Sequence, residues 1–202
     1  MVQLENLKKS YAKKQIFDIP YLALDSGFTC LSGPSGCGKT TLGRVISGLE
    51  KADSGVILGV NGASVVLFQE SRLLPTLSAY DNITAICRTD EGKALARELL
   101  SRLLFTEEDM KKLPSELSGG MERRVSIVRA VVFAHENSGS FALLDEPFTG
   151  LDPDPKAIAA EVLIEYLNGR SVLVITHDGE ECELLGGKAV EFSSLLATNG
   201  AI

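Results

Sequence analysis

The stretch Gly33-Pro34-Ser35-Gly36-Cys37-Gly38-Lys39-Thr40-Thr41 fits G-x-x-x-x-G-K-[ST] and constrains this chain more than any other. Small residues let the backbone curl until successive N–H groups point inward. They form an anion nest at a helix N-terminus, where the helix dipole adds positive potential. Lys39 is placed to reach the β- and γ-phosphates of a nucleoside triphosphate, and the Thr40 hydroxyl to complete the coordination of a bridging Mg²⁺. The flanks agree: Phe28-Thr29-Cys30-Leu31 reads as a buried strand, and Thr41 to Ser47 as a helix stopped by Gly48.

The remaining composition narrows the partners. With 202 residues and 45% hydrophobic content, the chain is long enough for one globular unit with an embedded subdomain. A formal charge of -7 gives no global basic field, so nucleic acid is not expected as a partner. The cysteines Cys30, Cys37, Cys87 and Cys182 lie far apart without a C-x-x-C pair, which suggests neither a zinc site nor a disulfide framework and suits a reducing cytosol. Met1 to Leu7 alternates like a strand and lacks the plan of a signal peptide. No apolar run approaches the roughly 18 residues of a membrane span, so a membrane role is expected to come through a partner.

In chain order, strands are expected at 2–7, 15–19 and 27–32, separated by turn-like Lys8-Lys9-Ser10 and by Pro20 to Ser26. Tyr11 falls in the first connection, where its ring can stack on an adenine or simply pack half-buried. Gly55 to Leu58 and Ser64 to Phe68 read as two further strands, the second ending at Gln69. An amide at a strand's C-terminal edge can ligate Mg²⁺ and orient a water, or lie idle on the surface.

From Ser71 the pattern changes. Arg72 to Leu77 is apolar around Pro75, Ser78-x-x-Asp81 fits a capping box, Leu95, Leu99 and Leu103 recur at helical spacing, and Thr106-x-x-Asp109 caps a short helix. The stretch from about 75 to 135 is thus read as a helical insertion. Within it, Leu117-Ser118-Gly119-Gly120 precedes a helix beginning at Met121, with Ser118 as N-cap and a second anion-binding helix start.

Phe141 to Asp145 reads as a buried strand ending in Asp145-Glu146. Asp145 suits a water-mediated hold on Mg²⁺, and Glu146 suits polarising an attacking water. Asp152-Pro153 opens a helix that Gly169 stops, and Ser171 to Ile175 is a central strand followed by His177, whose imidazole can hydrogen-bond a γ-phosphate or be incidental at a strand end. His135 has no such setting. One more strand is expected at Ala189 to Phe192.

The ordered set Gly33 to Thr41, Gln69, Leu117-Ser118-Gly119-Gly120, Asp145-Glu146, Gly150-Leu151-Asp152 and His177 resembles the nucleotide-binding subunit of the ATP-binding-cassette family. The LSGG element separates that family from other phosphate-loop enzymes. The resemblance implies an α/β phosphate-loop core of mixed, mainly parallel sheet (1–74 and 136–202), an N-terminal antiparallel β subdomain and an inserted helical subdomain (about 75–135). It further implies ATP and Mg²⁺ as ligands and a head-to-tail dimer with a second nucleotide-binding subunit. In the roles carried across, Lys39, Glu146 and His177 serve catalysis. Thr40, Gln69 and Asp145 serve the metal. Gly33, Pro34, Ser35, Gly36, Cys37, Gly38, Thr41 and Tyr11 bind ATP, while Ser118, Gly119, Gly120 and Asp152 face the partner's nucleotide.

Two departures stand out. Met121 occupies the position where the family usually has Gln, and a thioether cannot replace an amide's hydrogen bonds, worth about 0.5–1.5 kcal/mol each. His135 to Ser140 is a longer connection than usual, expected to be a surface loop away from the site.

Gln69-Glu70-Ser71-Arg72-Leu73-Leu74-Pro75 is similar to the corresponding segment of importers of the nitrate, sulfonate and taurine type, and the short C-terminal tail agrees with a minimal importer subunit. The implied activity is ATP hydrolysis driving import through a separate permease, docked near Arg72 to Leu77 at the cytoplasmic face of the membrane, with an extracytoplasmic solute-binding protein as a further partner. The competing readings are a soluble ATPase of the same family working as a mechanical clamp, and a non-hydrolysing nucleotide-dependent scaffold. The same leucines could instead pack into the insertion's own core.

Overall fold

The computed structural model describes residues 1–12 and 14–197. The elements in order are β1 Val2–Tyr11, β2 Lys14–Leu24, β3 Gly27–Ser32, α1 Lys39–Ile46, β4 Ser54–Leu58, β5 Val65–Leu67, α2 Ala79–Thr84, α3 Asp90–Arg102, α4 Gly119–Glu136, β6 Phe141–Asp145, α5 Pro153–Leu167, β7 Ser171–Ile175, α6 Gly179–Leu184 and β8 Lys188–Glu191. They form two compact units. The first holds Met1–Ser64, Gly139–Leu143 and the chain from Gly169 onward, and the second holds Val65–Ser138 and Leu144–Asn168.

In the first unit, β1 pairs antiparallel with both β2 and β4, giving a three-stranded sheet in the order β2-β1-β4. Beside it runs a parallel ladder in which β3 lies between β7 and β8. β7 is buried at every residue, as a strand covered on both faces must be. Because β3 and β7 run parallel with Leu31 opposite Ile175, the phosphate-loop residues after β3 and His177 after β7 leave one edge of the sheet.

The first two strands are longer than the sequence pattern predicts. Lys8, Lys9 and Ser10 continue β1, and Pro20 sits inside β2. Alternation breaks there because Asn6 turns to φ 48 opposite Pro20, and the ladder resumes on either side, with Glu5 facing Tyr21 and Leu7 facing Ile19. β2 is an edge strand, the place where a residue without an N–H costs the ladder least. Phe192, expected as the end of a strand, opens a 3₁₀ turn instead.

The second unit is built around α4. Val125, Ile127, Val128, Val131, Val132 and Ala134 are buried round most of its circumference, because α2, α3, α5 and β5 all pack on it. The helical stretch read from the sequence at about 75–135 lies wholly inside this unit, which also takes in β5 and α5. Ser78 and Ser118 cap α2 and α4 through Asp81 N and Met121 N, as the sequence predicts. The Thr106-Asp109 pair closes a single 3₁₀ turn, Asp109–Lys111, rather than a helix.

The connection expected over His135 to Ser140 is shorter and less free than a surface loop. α4 runs on through Glu136, whose carboxylate accepts from Arg88 N at 2.7 Å and Thr89 N at 3.1 Å, capping the start of α3. Within the first unit, Ser140 exchanges hydrogen bonds with Asn61, and a Cβ on buried Gly139 would lie 1.9 Å from the Ala63 carbonyl oxygen. Gly139→Ala must therefore displace backbone, at about 1–3 kcal/mol. Calorimetry is expected to show a lower Tm, by about 2–4 °C per kcal/mol, and an unchanged Tm would show that this approach is not tight in solution.

Candidate nucleotide site

The first unit carries the phosphate loop. Gly33, Gly36 and Gly38 adopt φ of 145°, 73° and 117°, a region that side chains disfavour, and Gly38 is the N-cap of α1. A Cβ on Gly38 would meet Ile16 Cγ2 at 2.7 Å and Phe192 Cζ at 3.2 Å, so these two buttress the loop from behind. Lys39 Nζ lies across the loop, donating to Gly33 O at 2.6 Å and Pro34 O at 2.9 Å. Thr40 and Thr41 stand in the first turn of α1, whose leading N–H groups lack intrahelical acceptors. The donor set suits a polyphosphate: a positive-φ glycine cradle, an ammonium and a helix start.

Tyr11 ends β1 with 46% of its surface exposed. Its hydroxyl donates to the Glu50 carboxylate, to which Lys9 Nζ also donates at 2.9 Å while reaching Lys51 O at 2.8 Å. That bond to Glu50 holds the Tyr11 phenol above its ordinary range, and the same bond first of all holds Glu50 below its own. The two shifts describe one bond, an ionised acceptor and a retained donor, which fixes the ring at the end of its strand. His177, exposed, follows β7 in a turn braced from within: Thr176 Oγ1 donates to buried Glu181 at 2.6 Å and accepts from Asp178 N at 3.1 Å.

The second unit carries the other motifs. Asp145 ends β6 almost fully buried, and Glu146 follows, half-buried, at φ 51. Gln69 is exposed just beyond β5. Ser118 Oγ accepts from Met121 N at 3.2 Å, leaving Ser118 and Gly119 exposed at the head of α4. A Cβ on Gly120 would lie 2.8 Å from Gly150 O, so the signature glycine and the loop after β6 pack backbone to backbone. Asp152 precedes Pro153 at the start of α5, but its side chain makes no capping bond and stays exposed. Ile16, Phe192, Glu50, Glu181 and Arg123 were not picked out from the sequence. Arg123 is the most buried of the second unit's motif-adjacent charges.

The profile of the family described as "ABC transporter" matches residues 25–149. The chain belongs to this family. It is 37% identical over 98% of its length to an aliphatic sulfonates import ATP-binding protein (SsuB) of Corynebacterium glutamicum, covering 81% of that protein. It is 36% identical to a spermidine/putrescine import ATP-binding protein (PotA) of Thermotoga maritima, covering 52% of it. Among solved structures, a dimeric ATP-binding cassette in a post-hydrolysis state bound to ADP and Pi superposes with a TM-score of 0.80 at 25% identity, over 95% of this chain and 94% of that one. The α/β phosphate-loop fold of ABC cassettes is therefore the fold of this chain. Among the described residues, no helix is long and apolar enough to cross a membrane, and no group of three or more His, Cys, Asp or Glu could hold a metal by itself.

Proposed function

We propose that this chain is the ATP-hydrolysing subunit of an importer, working as a head-to-tail dimer beneath a separate membrane permease. The observation that carries the reading is the similarity, over 98% of this chain, to an import ATP-binding protein, together with the family's motifs in order. Residues 33–41 bind the phosphates of ATP, and Tyr11 stacks on its adenine. Ser118, Gly119, Gly120 and Asp152 serve the nucleotide bound by the second subunit. Thr40, Gln69 and Asp145 offer the hard hydroxyl, amide and carboxylate oxygens that suit Mg²⁺, which neutralises the β- and γ-phosphates when bound. Glu146 accepts a proton from the attacking water, and His177 donates to the γ-phosphate. An extracytoplasmic solute-binding protein belongs to the same importer reading, as does a place on the cytoplasmic face of the membrane.

Permease docking is assigned to Arg72 to Leu77. Of the three leucines there, Leu74 is 52% exposed while Leu73 and Leu77 are half-buried. Its backbone is held rigid: buried Asn82 accepts from Leu74 N at 2.7 Å and donates to the carbonyls of Leu74, Leu77 and Ser78 at 3.1, 2.9 and 3.0 Å. Arg129 holds Ser71 O at 2.8 Å and Arg72 O at 3.0 Å from α4. Since an exposed position tolerates a charge, Leu74→Asp is expected to leave folding and basal ATPase intact. Co-purification with the permease, and transport by the reconstituted pair, are expected to be lost. A variant that still binds its permease overturns the assignment, and one that unfolds returns Leu74 to the core of the insertion.

A further inference from the structure

Arg123 lies in the first turns of α4, two residues after Met121, and is 3% exposed. Its five N–H groups match five main-chain carbonyls. Nη1 donates to Phe68 O and, at 3.2 Å, to Gln69 O. Nη2 donates to Asp145 O at 2.7 Å and to Glu146 O, and Nε donates to Pro147 O at 2.9 Å. One edge of the guanidinium thus takes the chain as it leaves β5, and the other takes the chain as it leaves β6. A buried cation is tolerable on such terms because carbonyl dipoles replace its water. Only a planar fork does this. Lysine offers three donors from one point, so at most three of the five carbonyls could be satisfied.

The β6 side of this arrangement is conformationally costly. Glu146 is a non-glycine residue at φ 51 that precedes Pro147, and the residue before a proline favours extended backbone. Such a conformation persists only where its surroundings over-determine it. Here Glu146 O is held by Arg123, and it also accepts from Thr149 N at 3.3 Å. The peptide that aims the Glu146 side chain is therefore anchored to the head of the signature helix.

We propose that Arg123 is a positioning residue for hydrolysis, holding the strained backbone of Glu146 in register against the end of β5. The inference rests on the role proposed above for Glu146. It predicts that the substitution acts on turnover and not on nucleotide binding, since no phosphate-loop residue is among these five acceptors.

The test measures kcat, KM and ATP affinity for Arg123→Lys, for Glu146→Gln and for the double variant. Arg123→Lys is expected to lower kcat by at least about tenfold, with ATP affinity within about twofold of the parent. In the Glu146→Gln background it is expected to change the residual rate little, because the residue it positions is already disabled. An unchanged kcat, or an equal loss in both backgrounds, overturns the proposal. Near-normal turnover by Glu146→Gln alone would instead overturn the role of Glu146, a separate result. Arg123→Gln, which keeps an amide donor and removes the charge, is expected to follow the same pattern. If both Arg123 variants fail to fold, Arg123 is a stability element and the positioning role is wrong.

Discussion

Glu146→Gln is expected to lower ATP turnover by about a hundredfold to ten-thousandfold, the range that a positioned general base contributes. The substitution keeps the shape of the side chain, and glutamine tolerates φ 51 no worse than glutamate, so the backbone anchored through Glu146 O is expected to persist. What is lost is a proton acceptor beyond the buried carboxylate of Asp145. Nucleotide binding is assigned elsewhere, to Gly33 through Thr41, and is expected to stay within about twofold of the parent. ATP should therefore remain bound, and the ATP-dependent dimer should accumulate on gel filtration instead of dissociating. Steady-state phosphate release by the purified variant decides the matter: near-normal hydrolysis removes Glu146 from the reaction.

The motifs were legible because each is a backbone requirement written in residue type. Positive φ at Gly33, Gly36 and Gly38 allows little but glycine, and a strand that ends in two carboxylates can be read from Phe141 to Glu146 without coordinates. Caps at Ser78 and Ser118 were legible for the same reason, since their bonds reach only three residues ahead. Groups that act through distant partners were hidden. Ile16 and Phe192 meet behind Gly38 although they lie far from it in the chain. Glu50 reaches Tyr11 across 39 positions, and Gly139 is fitted against Ala63. Arg123 left a faint trace: it shares a helical face with Ile127 and Val131, both fully buried, and a charge on such a face demands acceptors that local pattern does not name. The long β1–β2 hairpin was hidden by its own irregularities, since Asn6 and Pro20 interrupt the alternation that reveals a strand.

Lys39→Ala is expected to weaken binding and chemistry together, where Glu146→Gln weakens chemistry alone. Its ammonium lies across the phosphate loop on Gly33 O and Pro34 O, in the unit that holds the glycine cradle. Hydrogen bonds to charged groups contribute about 1.5–3 kcal/mol, so losing this cation weakens ATP binding by about tenfold to a hundredfold. Removing the side chain also releases the two carbonyls that shape the loop, which adds to the loss without unfolding a helix whose N-cap is Gly38. Hydrolysis is expected to fall with binding and not to be recovered by raising ATP to saturation, since the role proposed for the same ammonium includes stabilising charge on the transferred phosphoryl group. Lys39→Arg keeps the charge, but a planar guanidinium cannot occupy a point-charge position between two carbonyls, so it is expected to restore affinity only in part. Titration with a fluorescent ATP analogue, alongside circular dichroism to verify folding, measures the effect. Parental affinity in folded Lys39→Ala would place the triphosphate somewhere other than the loop at Gly33 to Thr41.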